Sequence, residues 1–364
     1  MTLNWVIAGG GTGGHVTPAL ALGEVIAERG EKVLFIGSEQ GLEARLVPDA
    51  GFDLLALPSQ QVMGRGLAGR IVGTLGTLRQ VGRARRALRA HAAHIVISVG
   101  GFAAMPAALA ALTTGCPLAL VEPNAIPGRA NRLTARFAQR VFVGFPAAAE
   151  RLTARGAVEH RGIPLRRALV DAFQTATPRE APGPPLHLLV FGGSQGARQI
   201  NEAMMELAPR LAQQPIEIFH QAGSADRERV QAAYADAGVE AEVVDFEPAM
   251  PARYRWAHLA VCRSGALTVA ELALAGLPAL LIPYPFAADD HQAANASALS
   301  QAGAGIRMAA RPLDVGSLGE KLLGLVRDPG PLAGMSAAAS AMARPHAARD
   351  IVEACASLVQ EGSA

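Results

Sequence analysis

Cysteine is scarce in this chain, and its placement excludes two classes of site. The 364 residues contain three cysteines, Cys116, Cys262 and Cys355, with no CxxC pair among them. Zinc and redox motifs need cysteines at short, defined spacings, and a disulfide framework needs an even set. All three lie among apolar residues, which predicts reduced thiols packed as small hydrophobic side chains. The sequence therefore predicts neither a metal site built on cysteine nor a disulfide framework.

Aromatic residues are also few, at 4% of the chain, and no recognised nucleic-acid-binding module is present. The charge is uneven, because the first 163 residues carry 17 Lys and Arg against 10 Asp and Glu, a balance of +7. The remaining residues carry 16 against 21, a balance of −5. A basic half without stacking aromatics disfavours nucleic acid and favours an anionic membrane surface or a phosphorylated substrate.

A secretory signal and a membrane span are both missing from the pattern. The chain begins on a strand-like apolar run without a preceding basic segment, so we expect the protein to stay in the cytoplasm. Residues 102–121 carry no charge and reach the length of a membrane span. That run is divided into a helix-length piece and a strand-length piece by Thr113, Thr114, Gly115 and Pro117. Such a division predicts a buried βαβ unit instead.

Short apolar runs alternate with helix-length segments along the chain, which is typical of parallel sheets covered by helices. The alternation restarts after residues 171–185, a Pro-rich and charged stretch that predicts a linker or an exposed crossing. We therefore predict two α/β domains, residues 1–163 and 164–342, with a C-terminal helix near 343–364 packing back on the first. The predicted strands are Trp5 to Ala8, Val33 to Ile36, Asp53 to Leu57, His94 to Val99, Pro117 to Val121, Arg140 to Phe145, Leu186 to Phe191, Ile216 to His220, Glu242 to Phe246, Leu259 to Cys262 and Pro278 to Pro283.

Glycine turns follow three of these strands. The first, GGGTGGH at residues 9–15, fits the GxGxxG fingerprint of dinucleotide-binding domains, but a histidine directly after the last glycine is not part of that fingerprint. The others are SVGGF at 98–102 and GGSQGA at 192–197. Such turns let backbone N–H groups approach an anion, although any single one also fits a plain strand-to-helix connection. Three turns in two domains predict a ligand cleft between facing sheets.

Residues 262–278, CRSGALTVAELALAGLP, predict a phosphate-binding helix N-terminus. Ser264 suits the N-cap position, which would leave the N–H groups at 265–267 open to a diphosphate. Glu271 lies on the same helical face and suits the hydroxyls of a ribose. The alternative that these residues leave open is an ordinary capped helix with Glu271 as a solvated surface charge.

A polar cluster follows the next predicted strand, and its amides and carboxylates suit sugar hydroxyls. Its members are Asp289, Asp290, His291, Gln292 and Asn295. Adjacent aspartates at a helix start do not face one ion, and no third ligand is evident, so we predict no metal here.

Six motifs together make the chain similar to a known family. They are GGTGGH near the start, GGF after the fourth strand, EPN at 122–124, GGSQGA at 192–197, CRSGALTVAEL at 262–272 and DHQAANA at 290–296. In this order, and over nearly the whole chain, they resemble the MurG family of bacterial peptidoglycan glycosyltransferases. The resemblance implies an α/β fold of the GT-B type, in which two Rossmann-like domains face each other across a cleft. It makes the first domain the acceptor and membrane-facing domain and the second the UDP-sugar donor domain.

The resemblance also implies roles for single residues. The backbone at 265–267 would bind the diphosphate, and Glu271 would bind the ribose. The backbone near Phe246 would contact the uracil, and Gln292 would contact the sugar. The whole donor set that it implies is Arg166, Ser194, Gln195, Phe246, Gly265, Ala266, Leu267, Thr268, Glu271, His291, Gln292 and Asn295. The acceptor cleft that it implies contains Thr12, Gly13, Gly14, His15, Glu122 and Asn124. Phe102 stands where a tyrosine can follow the two glycines, which excludes a hydroxyl role there.

The reaction implied is inverting transfer of N-acetylglucosamine from UDP-N-acetylglucosamine to the C4 hydroxyl of lipid I, an undecaprenyl-diphosphate-linked N-acetylmuramic acid, giving lipid II. His15 is the candidate base, because an imidazole titrates near neutral pH. The alternative is that His15 only positions the acceptor diphosphate or holds its loop. No cofactor and no metal are implied, and cell-wall synthesis proteins are the expected protein partners.

Three other functions are compatible with parts of the pattern. A UDP-N-acetylglucosamine 2-epimerase shares the fold type and the donor, and a nicotinamide dehydrogenase shares the opening fingerprint. A non-catalytic nucleotide-binding protein of the membrane surface would share the basic first half. The motif set favours the transferase over all three.

Residues 66–89 suggest how the chain could meet a membrane. Apolar residues at helical spacing, Leu67, Ile71, Leu75 and Leu78, run beside a basic face formed by Arg79, Arg83 and Arg86. The apolar stripe fits a helix that covers its own sheet, whereas five arginines between 79 and 89 occur without one acid. We therefore expect peripheral docking on the cytoplasmic face of the cell membrane, with no inserted span.

Overall fold

The computed structural model describes residues 2–58, 67–174, 179–193 and 195–361, and the side chains of all of these except 67–77. The chain forms two compact units, one of Met1–Arg167 with Arg344–Ala364 and the other of Ala168–Ala343. The described part of residues 171–185, predicted as a linker, falls inside the second unit, and a helix runs across the boundary of the two units from Arg167 to Ala172.

All the strands pair in parallel, and in the described residues they form one sheet in each unit. The first sheet contains β1 (Asn4–Gly9), β2 (Lys32–Ser38), β3 (Asp53–Leu57), β4 (Ile95–Gly100), β5 (Leu118–Glu122), β6 (Arg140–Val143) and β7 (Ala157–His160). The second contains β8 (Leu186–Phe191), β9 (Ile216–Gln221), β10 (Ala241–Val244), β11 (Leu259–Cys262), β12 (Ala279–Leu281) and β13 (Gly305–Arg307). The strand orders are β3-β2-β1-β4-β5-β6-β7 and β10-β9-β8-β11-β12-β13.

Helices connect consecutive strands. In the described residues they are α1 (Gly13–Glu28), α2 (Glu43–Asp49), α3 (Leu67–Ala90), α4 (Met105–Thr114), α5 (Arg129–Ala135), α6 (Pro146–Ala149), α7 (Arg167–Ala172), α8 (Arg198–Leu211), α9 (Arg227–Ala237), α10 (Met250–Trp256), α11 (Ala266–Ala275), α12 (His291–Gln301), α13 (Val315–Arg327), α14 (Gly330–Met342) and α15 (Ala347–Glu361). Two short 3₁₀ turns, Phe102–Ala104 and Ala288–Asp290, precede α4 and α12.

Alternation along each strand builds apolar layers on both faces of the first sheet. Trp5 and Ile7 of β1 face a layer that includes α1 and the final helix α15, which contributes Ile351 and Cys355. Val6 and Ala8 point to the opposite layer, which contains the apolar side of α4 and part of α3. The second unit has its own apolar core around β8 and α8. Each unit therefore carries a core large enough to fold around its own sheet.

The strand predictions are confirmed for eleven segments, and two strands were not predicted. Those two, β7 and β13, each lie at one edge of their sheet and have the sequences AVEH and GIR. The opposite edge strands, β3 and β10, contain the apolar runs LLAL and VV and were predicted. The two missed strands contain no such run. Residues 102–121 form a 3₁₀ turn, α4 and β5 rather than one long helix. Among the described residues, no helix has the length and apolar character that a membrane crossing requires.

The cysteine prediction also holds. All three thiols are free; Cys262 and Cys355 are buried, and Cys116 is partly buried. Burial raises the pKa of the Cys116 thiol to about 11, so this side chain is a neutral, unreactive thiol at neutral pH.

Candidate active site

Both sheets reverse their strand order at one point, between β1 and β4 in the first unit and between β8 and β11 in the second. Open α/β sheets bind ligands outside the carboxyl ends of their strands at such points. The loops after these four strands are GGTGGH and GGF in the first unit, and GGSQGA and CRSG in the second. The fold therefore brings the predicted motifs together in pairs, one pair in each unit.

The loop after β1 presents His15 on the first turn of α1. Thr12 is the extended N-cap residue, and its carbonyl accepts hydrogen bonds from the N–H groups of His15 and Val16, each at 3.1 Å. The Thr12 hydroxyl oxygen lies 3.3 Å from His15 Nδ1. Thr12 is exposed, and Gly13, Gly14 and His15 are partly exposed. An imidazole at a ligand-facing strand end, oriented by a neighbouring side chain, has the placement that a general base needs.

The loop after β4 lies directly against this turn. Gly100 and Gly101 have φ angles of 104° and 81°, which favour glycine. A Cβ atom at Gly101 would stand 2.7 Å from the Gly10 carbonyl oxygen and 3.6 Å from His15 Nδ1. The two glycine motifs of the first unit are thus packed against each other, and Phe102 beside them is 74% exposed.

A buried carboxylate that the sequence analysis missed holds the first loop in place. Glu43 of α2 accepts hydrogen bonds from Gly11 N at 2.8 Å and from Ser38 N at 2.7 Å. A Cβ atom at Gly10 or Gly41 would overlap this carboxylate, so both positions need glycine. No local spacing in the sequence predicts the contact between Glu43 and Gly11, because α2 belongs to a different βα unit. The N–H group of Gly11 is engaged by the protein itself and is not a donor for a ligand phosphate.

The structure corrects the predicted role of Glu122 as an acceptor contact. It is 1% exposed, and its carboxylate accepts from Asn124 N at 2.8 Å, Asn124 Nδ2 at 3.3 Å, Gly128 N at 3.1 Å and Asn131 Nδ2 at 2.8 Å. Burial raises the pKa of this carboxyl, and the four hydrogen bonds act in the opposite direction. Glu122 is therefore a buried support for the loop after β5, whereas Asn124 is partly exposed and remains a candidate for substrate contact.

In the second unit the GGSQGA turn is shaped by two glycines. Gly193 and Gly196 have φ angles of 100° and 76°, and Gln221 Nε2 donates to the Gly193 carbonyl at 3.1 Å. A Cβ atom at Gly196 would overlap the Ala222 carbonyl. Gln195 is exposed at the tip, as a ligand contact requires, and Ser194 lies outside the described residues.

The helix after β11 starts one residue later than predicted. Gly265, not Ser264, is the N-cap residue of α11, and no side chain caps this end. Ser264 is buried, and its hydroxyl donates to the Gln292 carbonyl at 2.8 Å, which removes it from a capping role. In an α-helix the first N–H groups have no carbonyl partner within the helix, so those at 266–268 point out of the helix start together with the positive end of its dipole. This end can seat a diphosphate.

Glu271 is held by a tyrosine rather than solvated on the surface. The Tyr254 hydroxyl of α10 donates to Glu271 Oε2 at 2.6 Å. Burial raises the pKa of the Glu271 carboxyl to about 7, and the Tyr254 hydrogen bond acts to lower it. A carboxyl that titrates near neutral pH beside a phosphate-binding helix end is typical of a functional position.

The predicted sugar-binding segment is attached to the same helix start. Asn295 Nδ2 donates to the Ser264 carbonyl at 3.2 Å, and Gln292 Oε1 accepts from Tyr284 N at 2.9 Å. Asn295 is fully buried, which corrects its predicted place beside the sugar and makes it a support for the loop after β11. Gln292 and His291 are partly exposed, and His291 Nδ1 lies 2.7 Å from the Ala288 carbonyl oxygen.

Phe246 is held by a contact with its sequence neighbour, whereas Arg166 is held by a residue far away in the sequence. Phe246 follows β10 with 55% of its surface exposed, and its N–H donates to Asp245 Oδ1 at 3.0 Å. Arg166 belongs to the first unit and pairs there with Glu24 of α1.

Across the described ranges, no group of three His, Cys, Asp or Glu side chains could hold a metal ion. Asp290 instead pairs with Arg311 at 3.0 Å.

Comparison with known proteins assigns the family. Residues 5–143 match the N-terminal domain of glycosyltransferase family 28, and residues 187–351 match its C-terminal domain. The UDP-N-acetylglucosamine--N-acetylmuramyl-(pentapeptide) pyrophosphoryl-undecaprenol N-acetylglucosamine transferase of Geobacter metallireducens is 40% identical over 96% of this chain and 96% of its own length. The protein of the same name from Methylococcus capsulatus is 41% identical over 96% and 97%. A crystal structure of Acinetobacter baumannii MurG is 31% identical, covers 97% of this chain and 99% of its own, and superposes with a TM-score of 0.80. The chain belongs to the MurG family.

Membership of the MurG family confirms the predicted fold class and the predicted enzyme class. The two Rossmann-like α/β units are those of a GT-B glycosyltransferase. A UDP-GlcNAc 2-epimerase from Neisseria meningitidis also superposes, with a TM-score of 0.66 at 15% identity over 97% of this chain and 99% of its own, which shows a shared fold alone. The family comparison thus favours the transferase over the epimerase that the sequence analysis had kept open.

Proposed function

We propose that this protein transfers N-acetylglucosamine from UDP-N-acetylglucosamine to the C4 hydroxyl of the N-acetylmuramic acid of lipid I, with inversion, and so forms lipid II for peptidoglycan. The observation that carries the proposal is the identity of about 40%, over nearly the whole length, to transferases named for this reaction. The geometry of the second unit is compatible with the donor, since a helix N-terminus and a carboxylate lie on one helix.

In the donor site that we propose, the N–H groups of Ala266, Leu267 and Thr268 hold the diphosphate. They stabilise the negative charge that develops on UDP as the sugar leaves, a task that a helix N-terminus can perform without a metal ion. Glu271 accepts hydrogen bonds from the ribose, while Gln195 and Gln292, both accessible, bind the phosphate and the sugar. Phe246 offers an exposed ring and backbone to the uracil.

The experiment that tests this function measures UDP release with a lipid I analogue as acceptor, against free N-acetylmuramic acid. We expect release only with the lipid-linked, diphosphate-bearing acceptor. Conversion of the donor at C2 without any acceptor would support an epimerase instead. Binding of UDP without turnover on either acceptor would support a non-catalytic nucleotide-binding protein.

On the acceptor side, we propose that His15 removes the proton from the attacking hydroxyl. His15→Ala should lower kcat by about 10²- to 10⁴-fold while UDP binding stays intact. Turnover at saturating acceptor and UDP affinity by calorimetry are the two measurements. A normal kcat with a raised acceptor KM would show that His15 positions the diphosphate and is not the base.

We also propose that α3 docks on the anionic cytoplasmic leaflet, where lipid I resides. Arg79, Arg83 and Arg86 are exposed on this helix, and Leu78 beside them is 62% exposed. The side chains of the predicted apolar stripe at 67, 71 and 75 lie outside the described residues. Each basic residue near anionic lipid contributes about 1 kcal/mol, so three together can change vesicle binding by about 100-fold.

Replacing Arg79, Arg83 and Arg86 by Gln should weaken co-sedimentation with anionic vesicles and turnover of full-length lipid I. Turnover of a short-chain soluble analogue should change little. A matched control removes the same charge from the second unit, at the exposed Arg210, Arg227 and Arg229. Equal vesicle binding of the α3 variant and the unmodified protein at low salt would contradict the docking proposal.

A further inference from the structure

One buried hydroxyl in the second unit contacts the carboxylate of the proposed ribose site. Tyr254 is 1% exposed, and its hydroxyl donates to Glu271 Oε2 at 2.6 Å, a distance typical of a hydrogen bond to an ionised carboxylate. Among the described residues, the Tyr254 hydroxyl is the hydrogen-bond donor to the Glu271 carboxylate. A carboxylate has room for about four acceptor contacts, so most of the capacity of Glu271 is left for a ligand.

Tyr254 is fixed in position by a partly buried arginine. The Arg179 guanidinium donates to the carbonyls of Tyr254, Ala257 and Ala275, the last at 3.2 Å, and thereby joins the C-terminal ends of α10 and α11. The Phe191 ring meets the Tyr254 ring edge-on at 6.0 Å. These contacts hold the backbone and the ring of Tyr254 in one position. In that position its hydroxyl points at Glu271.

The ionisation of Glu271 depends on few other groups. Burial raises the pKa of its carboxyl to about 7, and the Tyr254 hydrogen bond opposes that rise. Of the helices that pack against α11, α14 carries no titratable residue, and α12 carries only His291. The other charged or titratable groups on the neighbouring elements are Cys262 at the end of β11, Arg263 after it, Arg179, and Arg253 and Arg255 of α10. Arg253 pairs with Glu247 at 2.7 Å, and Arg255 donates to the Ala172 carbonyl.

We infer that Tyr254 is a positioning residue for the nucleotide: its hydroxyl holds one oxygen of Glu271 and keeps the carboxylate ionised and aimed for the ribose hydroxyls. The inference rests on the proposed donor site and adds a residue that does not itself touch the substrate. A neutral carboxyl would keep one proton and lose part of its acceptor capacity, so both the orientation and the charge of Glu271 serve the same contact.

The test removes only the hydroxyl, in Tyr254→Phe. UDP and 2′-deoxy-UDP are titrated by calorimetry from pH 6 to pH 9, so that the readout does not depend on catalysis. The unmodified protein should bind UDP about 10-fold or more tightly than 2′-deoxy-UDP. In Tyr254→Phe we expect UDP binding at pH 7 to weaken about 5-fold or more and the preference for the 2′-hydroxyl to shrink. The loss of UDP affinity on acidification should begin at a higher pH than in the unmodified protein.

Tyr234→Phe is the matched control, because Tyr234 is also fully buried in the second unit and its hydroxyl lies 3.0 Å from His220 Nδ1 rather than near Glu271. Both variants should lose a few degrees of melting temperature, but only Tyr254→Phe should change the ribose preference and the pH profile. In a Glu271→Gln background, adding Tyr254→Phe should change UDP affinity by less than about 2-fold.

An unchanged ribose preference and pH profile in Tyr254→Phe would overturn the inference, as would the same changes in Tyr234→Phe. The double variant separates an effect through Glu271 from an effect on the fold. A further loss of UDP affinity when Tyr254→Phe is added to Glu271→Gln would show a merely structural role for Tyr254. If the unmodified protein does not bind UDP at all, the proposed donor site fails, and the inference fails with it.

Discussion

Two glutamates, one in each unit, differ in how far the protein fills their acceptor sites. Glu122, in the first unit, accepts four hydrogen bonds from the loop that follows β5 and is almost fully buried. Glu271, in the second unit, accepts one from Tyr254 among the described residues and is partly accessible. A carboxylate whose acceptor sites are filled by the protein supports the fold, whereas one with spare capacity can bind a ligand. The number of protein donors, not the residue type, separates the two.

The backbone donors of the two units differ at one turn. In the first unit Gly11 N is occupied by Glu43, so the protein fills part of its own anion-binding turn. The helix that follows this turn, α1, and α11 in the second unit both start without a side-chain cap. The first N–H groups of either helix can therefore face an anion, but the turn before α1 offers one donor fewer.

The largest effect that the comparison predicts is on stability, at Glu122. Glu122→Ala leaves four donors without an acceptor, among them the buried Asn131 amide, and should destabilise the first unit by about 3 kcal/mol or more. Thermal unfolding monitored by circular dichroism measures the loss. UDP affinity should stay within about 2-fold, since the residues that we propose for the diphosphate, the ribose and the uracil belong to the second unit. A stable Glu122→Ala variant with lost activity would instead make Glu122 a substrate contact.

A smaller effect, on binding, is expected at Glu271. Glu271→Ala should raise the donor KM by an amount equivalent to about 1.5–3 kcal/mol, because the ribose loses a charged acceptor. Steady-state kinetics at saturating lipid I analogue measure this change, with kcat much less affected. An unchanged donor KM would show that Glu271 does not bind the donor, and Glu271 would then have no ligand role to set it apart from Glu122.

The smallest effect is a pH-dependent gain in stability at the same residue. The folded-state pKa of Glu271, about 7, lies above its ordinary value, so the ionised form destabilises the fold and the cost grows as pH rises from about 4.5 to about 7. Glu271→Gln should therefore be more stable than the unmodified protein at pH 8, by about 1–2 kcal/mol, and nearly equal to it at pH 5. Melting temperatures at the two pH values test the sign, and a loss of stability at pH 8 would contradict it.

Much of the fold follows from patterns that are local in the sequence. Eleven strands were predicted because each contains a run of apolar residues, and glycine turns mark where three of those strands end. The strands β7 and β13 were missed because AVEH and GIR are too short and too polar to give that signal. The start of α11 was placed one residue early, because Ser264 is a good N-cap by type but is taken by the Gln292 carbonyl, 28 positions away.

The sequence by itself determined the class of this protein: two α/β units, the order of the ligand-binding motifs, and membership of the MurG family, since each rests on residue types at fixed spacings. Only the tertiary structure decided which polar residues of those motifs are buried and already paired within the protein. Glu122 and Asn295 proved to be buried supports, Glu43 and Tyr254 appeared as supports that no motif contains, and Glu271 kept its spare capacity. The physical reason is that Glu43, Asn295 and Tyr254 meet partners from other βα units, and their approach is set by how the strands are ordered in the sheet. Glu122 is instead filled by the loop and helix that follow its own strand and fold back over its carboxylate.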